Sequence, residues 1–225
     1  MIVGAATCLV AASSGVTGEA PKKGKGKLVP LKIELPLPMF RGTPKHIKFT
    51  ANMEKPSGKP RPPFLAPPGT TNVALEKEVT SSDDEPIVGE LEQVTDGDKK
   101  GSDGSYVELG PGRQWVQIDL EAAHSLYAIL IWHYHGEARI YHDTVVQVAD
   151  DADFITNVRT IYNNDYDNSA GLGIGKDKEY LETHEGRLIN AKGVKARYVR
   201  VYSKGNTAND MNHYTEVEVY GKPAQ

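Results

Sequence analysis

Residues 131–142, with the sequence Ile-Trp-His-Tyr-His-Gly-Glu-Ala-Arg-Ile-Tyr-His, concentrate side chains that could hold a metal or a ligand. His133 and His135 are two residues apart, so on a strand they share one face, and His142 offers a third imidazole. Imidazole nitrogen is a common ligand of transition metals. The spacing therefore raises a transition-metal hypothesis, although histidine pairs on strands are more often surface or edge residues with local hydrogen-bond partners.

Oxygen-bearing residues surround a second segment, Asp96-Gly97-Asp98, which Ser102 and Ser105 follow closely. Calcium takes about six to eight oxygen ligands from carboxylates and carbonyls, and a tight Asp-Gly turn exposes carbonyls of this kind. The turn could thus bind calcium, with Glu216 as a further carboxylate ligand from the far end of the chain. The alternative is a solvated turn, with Glu216 as a surface charge.

Residues 163–168, Asn-Asn-Asp-Tyr-Asp-Asn, are a third polar group. Their density of Asn and Asp favours a second calcium loop, but the EF-hand spacing and its terminal glutamate are missing. Asn and Asp are also the usual residues of turns. We therefore expect a turn-rich loop here.

Alternating strands must position these groups. Residues 195–201 and 214–221 alternate apolar and polar side chains, which is typical of half-buried antiparallel strands. Residues 126–134 are apolar on both faces, which predicts a central strand. The side chains expected to face the core are Val116, Ile118, Leu120, Val146, Val148, Val199, Val201, Val217 and Val219.

Charge and cysteine content exclude several classes of function. The chain has 225 residues and a formal net charge of −4, which argues against a general nucleic-acid-binding role. Its one cysteine is Cys8. If a leader containing Cys8 is removed, the remaining chain can form neither disulfides nor cysteine-ligated metal sites.

The N-terminal third differs in composition from the rest. Residues 1–20 begin with an uncharged apolar run that resembles a secretory signal and is too short to span a membrane, so we expect export to the periplasm, the cell envelope or the extracellular space. Residues 21–71 hold eleven of the fourteen prolines, which predicts an extended arm or linker. Leu31, Ile33 and Leu35 alternate with charged residues, so the arm could dock as an edge strand and mediate self-association.

Five short motifs follow one another in a fixed order along residues 72–221. They are Asn-Val-Ala-Leu at 72–75, Thr-Asp-Gly-Asp at 95–98, Trp-Val-Gln-Ile-Asp-Leu at 115–120, Ala-Arg-Tyr-Val-Arg at 196–200 and Glu-Val-Glu-Val-Tyr-Gly at 216–221. Together they resemble a discoidin domain, also called the coagulation factor V/VIII type C domain, of the galactose-binding-like superfamily. The resemblance implies an all-β fold, an antiparallel jelly-roll β-sandwich over residues 72–222, preceded by the extended proline-rich arm.

The resemblance also implies two sites. A structural Ca²⁺ would be held by the carboxylates of Asp96 and Glu216, by the carbonyls of Gln93, Asp98 and Thr215, and by Ser102 or Ser105. Arg139 matches one of two ligand arginines in sugar-binding relatives. Tyr134 falls near the position of the other arginine, which this chain lacks, so the chain departs from a fucose-type pattern. The expected ligand-binding residues are Tyr106, His133, Tyr134, His135 and Arg139.

Two functions are compatible with these features. One is a non-catalytic, exported binding module that recognises carbohydrate or another cell-surface polymer. The other is a structural or assembly protein whose sandwich packs into a larger envelope or extracellular assembly through the arm. An enzyme is disfavoured because the sequence lacks a nucleophile elbow, an HExxH motif and a carboxylate pair with a defensible spacing.

Overall fold

The computed structural model describes Met1 and residues 27–45 and 47–224. The leader predicted for residues 1–20 and the first part of the arm lie almost entirely outside the described residues. Ten strands follow one another along the described chain. They are β1 (Val29–Pro30), β2 (Leu65–Ala66), β3 (Thr71–Asn72), β4 (Val79–Ser81), β5 (Val107–Leu109), β6 (Gln114–His133), β7 (Val145–Ala149), β8 (Arg159–Asn163), β9 (Arg187–Ser203) and β10 (Asn212–Pro223).

Two long strands, β6 and β9, organise eight antiparallel strands in the order β3-β10-β6-β9-β7-β8, with β4 on β6 and β5 on β10. The register of β6 against β9 shifts between Asp119 and His124. Before this shift β6 pairs with β4 and the end of β9, and after it β6 pairs with β10 and the start of β9. The two halves contribute to one shared core, which confirms the predicted all-β antiparallel sandwich.

The core contains the side chains that the alternating sequence pattern predicts for it. Val116, Ile118 and Leu120 of β6 are buried, as are the paired valines of β7, β9 and β10. Trp115, Gln117 and Asp119 take the opposite face of the same strand, opposite Tyr202, Arg200 and Tyr198 of β9. The period of two was therefore read correctly in these strands.

The second half of β6 is apolar on both faces because both faces are covered. Ile129 and Ile131 enter the main core, whereas Leu130 and Trp132 belong to a second buried cluster on the outer face. The predicted central strand is thereby confirmed. A register shift between Leu126 and Ala128 also moves Leu126 and Ile129 onto the same side, which strict alternation would forbid.

The arm provides the cover for that outer face. Strands β1 and β2 pair with each other, and the Leu31 amide donates to the Phe64 carbonyl at 2.8 Å. Leu31, Ile33 and Phe64 pack against the outer cluster of Ala128, Leu130, Trp132 and Tyr220. The arm thus lies on the face of its own sandwich, whereas the sequence favoured addition at a sheet edge.

Between its two short strands the arm makes a long excursion along the side of the sandwich. The Glu54 amide donates to the Glu179 carbonyl at 2.8 Å, and the Glu179 amide donates to the Asn52 carbonyl at 3.0 Å. Arg187 pairs with Glu54, and the Arg61 guanidinium donates to the Gly186 carbonyl at 2.9 Å. These contacts fix residues 52–61 against residues 179–187.

Helical structure among the described residues is limited to one 3₁₀ helix, Leu91–Thr95. The side chains of Glu90 and Gln93 form a capping box at its start, which satisfies two backbone amides that the helix leaves without partners. No helix in residues 27–45 or 47–224 has the length and apolar character needed to cross a membrane.

Candidate functional site

The loop between β6 and β7, residues 134–144, stands at one end of the sandwich beside the loop between β9 and β10. The two loops are joined by main-chain hydrogen bonds, in which the His142 amide donates to the Gly205 carbonyl and the Thr207 amide donates to the Ile140 carbonyl, both at 3.0 Å. The Glu182 amide also donates to the Arg139 carbonyl at 2.9 Å. Three chain segments therefore hold this end of the molecule in place.

The two strand histidines are interior residues. His133 and His135 have no exposed surface, so in this conformation a ligand in solution does not reach them. His133 Nδ1 lies 3.0 Å from Glu182 Oε2, and its ring stacks on Tyr141 with centroids 4.3 Å apart. His135 Nε2 lies 2.9 Å from the Lys99 carbonyl. Both rings brace the loop from beneath.

The aromatic residues predicted for the site lie close to each other. Tyr106 and Tyr134 meet edge to face at 4.9 Å, and the Arg139 guanidinium lies 4.7 Å from the centre of the Tyr134 ring. Arg139 also pairs with Glu137 at 3.2 Å, and its side chain is only 13% exposed. Burial, with a contribution from the hydrogen bond to Asp103, raises the pKa of Tyr134 to about 12. The structure thus makes one cluster of these three residues.

His213 and Tyr141 complete the cluster, and the sequence analysis missed their roles. His213 Nδ1 lies 3.1 Å from the Tyr141 hydroxyl, while Nε2 lies 3.2 Å from Glu108 Oε2. Burial, together with the positive charge of Arg139 and the neighbouring His133, lowers the pKa of His213 to about 4. His213 stands opposite Glu108 in the pairing of β10 with β5, a signal that becomes visible only once the register is known.

The transition-metal hypothesis is not supported by these positions. His133 faces Glu182, His135 faces a carbonyl, and His142 Nδ1 lies 2.6 Å from Glu179 Oε1. Within the described part of the chain the three histidines form no group of converging metal-ligand atoms. Each imidazole is instead occupied by a different local partner.

An open groove of about 810 Å³ lies beside this loop, and the arm forms its second wall. From the sandwich come Glu137, Ala138, Ile140, His142, Glu179, Thr207 and Ala208, and from the arm come Phe40, Pro44, Ile47, Lys48, Thr50 and Met53. The lining combines apolar surface with a few hydrogen-bonding groups, and its volume falls in the range typical of small-molecule sites. This groove, which is framed by the loop, could not be foreseen because the arm wall comes from a distant part of the sequence.

His142 and Glu179 form the polar centre of the groove. Glu179 is buried, and its main chain carries the hydrogen bonds that hold the arm, so one residue links the groove to the arm. The hydrogen bond that His142 donates to the Glu179 carboxylate raises the pKa of the His142 imidazole, against the opposing effect of burial. The pair can present a polar edge to a bound ligand.

A second concave surface continues past this pair toward Tyr166, which is half exposed. There Asp143, Asp165 and Asp167 place carboxylate oxygens within 4.8 Å of one another. Most of this group is used internally, since Asp165 accepts from the amides of Ser169 and Ala170 and Asp143 accepts from the Ser169 hydroxyl. Residues 163–168 thus contain the hydrogen-bonded turns expected of a turn-rich loop.

Glu216 of β10 meets the Asp96–Asp98 turn, as the proposed calcium set requires. Glu216 has no exposed surface, its Oε2 accepts from the Gly97 amide at 3.0 Å, and its Oε1 is buried without a hydrogen-bond partner among the described residues. Burial, with smaller effects from Glu218 and Asp96, raises the pKa of Glu216 to about 8, whereas the Gly97 amide and Lys99 act to lower it. An unpartnered buried carboxylate oxygen beside an acidic turn fits a hard cation such as calcium.

The other residues of the predicted calcium set have individual local contacts. The Asp98 amide donates to Asp96 Oδ1 at 2.7 Å, which shapes the turn. Gln93 donates to the Gly104 carbonyl, and Ser102 Oγ lies 2.9 Å from Ser105 Oγ. The Thr215 hydroxyl is buried without a partner among the described residues. The structure therefore joins the turn to Glu216, and the side chains of Gln93 and Ser102 make hydrogen bonds of their own. The carbonyls of Gln93, Asp98 and Thr215 stay predicted ligands.

No protein-family model matches the chain, and no curated protein matches it. Among solved structures, the chain is similar to a family 89 glycoside hydrolase from Clostridium perfringens, with 18% identity and a TM-score of 0.50. The match covers 68% of this chain and 15% of the hydrolase. At this identity the likeness shows a shared fold.

Two smaller structures are also similar. One is the CBM32 module of AlyQ in complex with 4,5-unsaturated mannuronic acid, at 20% identity and a TM-score of 0.47 over 63% of this chain and 92% of that one. The other is a fucose-binding module from Streptococcus pneumoniae, at 21% identity and a TM-score of 0.47 over 67% of this chain and 97% of that one.

Proposed function

We propose that the protein is a non-catalytic module that binds carbohydrate at the end of the sandwich formed by residues 134–144. The observation that carries the proposal is the groove of about 810 Å³ between this loop and the arm. Sugars present both apolar C–H faces and hydroxyl groups, and the groove offers Phe40 and Ile140 beside His142 and Thr207. The fold likeness to a sugar-processing protein and to sugar-binding modules is consistent with this assignment.

The cluster beneath the loop supports the groove from inside. Tyr106, Tyr134 and Arg139 pack against one another, and His133 and His135 lie wholly inside the protein. Side chains locked in this way hold a loop rigid, which lowers the entropy cost of binding. We therefore assign ligand contact to the groove residues and to the partly exposed Tyr106 and Arg139. We assign positioning to the buried Tyr134 and to the two histidines.

Binding without catalysis is consistent with the state of the acid and base groups. The histidines at this end of the sandwich are each paired with a carboxylate or a carbonyl, as in His133 with Glu182 and His213 with Glu108. A general acid or base has to reach the substrate atom that it protonates or deprotonates. His133 and His213 are buried against these partners, so they act as structural supports, whereas His142 remains open to the groove.

A binding screen of the full chain against immobilised polysaccharides tests the proposal. His142→Ala and Phe40→Ala should weaken retention on any polymer that binds, while the melting temperature changes little because both side chains line an open groove. Ile155→Ala is the matched control, since Ile155 is 79% exposed in the turn at the far end of β7. Absence of retention on every polysaccharide, or equal loss in the control, would contradict the assignment.

We further propose that a structural Ca²⁺ binds where Glu216 meets the Asp96–Asp98 turn. The buried, unpartnered Glu216 Oε1 supports this, because a bound cation would compensate a carboxylate that burial otherwise disfavours. Carboxylates of Glu216 and Asp96 and nearby carbonyls would hold the ion. The ion would tie the turn to β10 and leave the groove at residues 134–144 unchanged.

The alternative function is assembly into a larger envelope or extracellular structure through the arm. The specific observation in its favour is the apolar surface of Leu31, Ile33 and Phe64, which could dock on a neighbouring sandwich as it docks on its own. Export of the protein is part of both proposals, and secretion of a tagged full chain into the medium or periplasm tests it. Light scattering of the secreted chain separates a monomeric module from an assembly.

A further inference from the structure

The arm wall of the groove is fixed in place. Met53 is buried and pairs with Glu179 in a parallel bridge, and the two main-chain hydrogen bonds between Glu179 and residues 52 and 54 continue that contact. The ion pair of Glu54 with Arg187 anchors the same segment from its other side. Residues 40–53 therefore present a defined surface to the groove.

Most of the charges that line the groove are already paired. Glu179 is buried against His142, with Oε1 and Nδ1 2.6 Å apart, and Glu137 pairs with Arg139 at 3.2 Å. Lys48 is the remaining charged side chain of the lining, and no ion-pair partner exists for it among residues 27–45 and 47–224. An unpaired ammonium group on a groove wall attracts an anion.

The surrounding arm residues reinforce this charge. Arg41 and Lys45 directly follow the lining residues Phe40 and Pro44, and both are exposed. Acidic residues lie at the opposite end, where Asp143 and Asp167 line the neighbouring concave surface with Lys204 among them. The combined surface is thus basic on the arm side and rich in hydrogen-bond acceptors on the far side.

We propose that the arm determines the ligand class, and that the groove binds an acidic polysaccharide whose carboxylate or sulfate group contacts Lys48. This inference rests on the proposed carbohydrate-binding function and names its ligand. Lys48 supplies a charge-assisted hydrogen bond to the anionic group, and Phe40 supplies an apolar surface for the sugar ring. The hydrogen-bond acceptors near Asp167 accept hydrogen bonds from the hydroxyls of further sugar units. The sandwich alone would contain half of this site.

Two pairs of polymers test the inference on the full chain. Polygalacturonate is compared with its methyl ester, and dextran sulfate with dextran, so that each pair differs mainly in charge and the two pairs separate carboxylate from sulfate. Affinity electrophoresis or calorimetry should show tighter binding of at least one charged polymer than of its neutral counterpart. Because the contact is ionic, that preference should weaken as salt is added.

Substitutions assign the preference to Lys48. Lys48→Ala should weaken binding of the charged polymer by about threefold to tenfold, and Lys48→Arg should retain most of it. Lys32→Ala is the matched control, because Lys32 is an arm lysine whose side chain is 89% exposed and pairs with Glu34. Phe40→Ala should weaken binding of the charged and neutral polymers alike.

The outcomes separate this inference from the general function. Equal binding of the charged and neutral polymers, or an unchanged affinity in Lys48→Ala, would overturn the acidic-ligand inference and leave carbohydrate binding in place. Binding that is lost in Lys32→Ala as strongly as in Lys48→Ala would show a diffuse charge effect and overturn it as well. Failure to bind any of the four polymers or any polysaccharide of the screen would overturn both.

Discussion

Glu216 is the residue with the most unusual surroundings in the sandwich. Its carboxylate is buried, accepts one hydrogen bond from the Gly97 backbone amide, and has Glu218 and Asp96 as acidic neighbours. The ammonium group of Lys99 is engaged by Glu218 at 2.7 Å. A carboxylate in this position gains little from the protein itself, so a cation would add directly to stability.

Calcium should therefore raise the melting temperature, and a chelator should lower it. A ligand that binds only the folded state stabilises it by about 2.7 kcal/mol at a hundredfold excess over Kd. Glu216→Gln should abolish the difference between calcium and chelator, and Glu92→Gln, an exposed change in the same region, should preserve it. Identical melting curves of the unmodified chain in calcium and in chelator would refute the site.

The pair of His142 and Glu179 should make stability depend on pH. Glu179 raises the pKa of His142, and Asp143, which has Lys204 4.0 Å away, acts in the same direction. A raised histidine pKa stabilises the fold fully below the unfolded value of about 6.5, and this stabilisation is lost as the pH rises through the folded value. The effect should stay below about 1 kcal/mol, since the His142 side chain is 40% exposed.

Melting curves between acid and alkaline pH check this expectation. The stability advantage of the unmodified chain over Glu179→Gln should be largest below about pH 6.5 and should shrink toward alkaline pH. In a His142→Gln background the same comparison should lose its pH dependence. A constant advantage across the range would show that the pair does not titrate.

At the scale of elements, the start of β9 depends on one close approach. Gly186 precedes β9 with φ +61°, and a Cβ there would come within 2.6 Å of the Trp132 ring. The same turn receives a hydrogen bond from Trp132 Nε1, which donates to the His184 carbonyl at 3.0 Å. Trp132 is fully buried between the sheet and the arm, so it cannot move aside easily.

Gly186→Ala should accordingly lower the free energy of unfolding by at least about 2 kcal/mol, from left-handed backbone strain and overpacking together. Gly112→Ala is the control, because Gly112 also has a positive φ, +84°, but a Cβ there meets nothing within 4 Å. Denaturant unfolding of the two variants should therefore separate packing from backbone strain. Equal losses of unfolding free energy in Gly186→Ala and Gly112→Ala would mean that the structure relieves the contact with Trp132 without a cost in stability.

The alternation of apolar and polar residues along the sequence is enough to predict the strands. Val116, Ile118 and Leu120 were assigned to the core from alternation, which is a property of neighbouring residues. The burial of His133 depends on Glu182, and that of His135 on the Lys99 carbonyl, which come from distant parts of the chain. Alternation also could not show the register shift in β6 or the bridge from Met53 to Glu179. The fold could thus be predicted, but the groove could not.

The whole molecule is a sandwich whose outer face and groove both depend on the arm. Leu31, Ile33 and Phe64, which lie just inside β1 and β2, pack against the outer cluster that contains Leu130 and Trp132. The excursion between these strands forms a groove wall. Proline fixes φ along this excursion, which lowers the entropy lost when it docks. Self-association through residues 21–71 stays a prediction, and intramolecular docking competes with it for the same apolar side chains.

Leu31→Ala and Leu37→Ala test how strongly the arm is held. Leu31 packs on the outer cluster, whereas Leu37 is 84% exposed in the same arm. Removing the half-buried Leu31 side chain should cost about 1–2 kcal/mol of docking free energy, and the exposed change should stay within about 0.5 kcal/mol. Cleavage passes through a locally opened arm, so limited proteolysis between residues 34 and 60 should accelerate about fivefold to thirtyfold in Leu31→Ala.

The same two variants decide whether the arm or the sandwich carries any self-association. If the docked arm shields the outer cluster, loosening it in Leu31→Ala exposes Trp132 and its neighbours, and light scattering should show more association than for Leu37→Ala. If the arm itself bridges molecules, the loss of Leu31 removes part of the bridging surface, and association should fall. Equal proteolysis and equal scattering in the two variants would contradict a docked arm, because Leu31 would then contribute no more than a leucine in water.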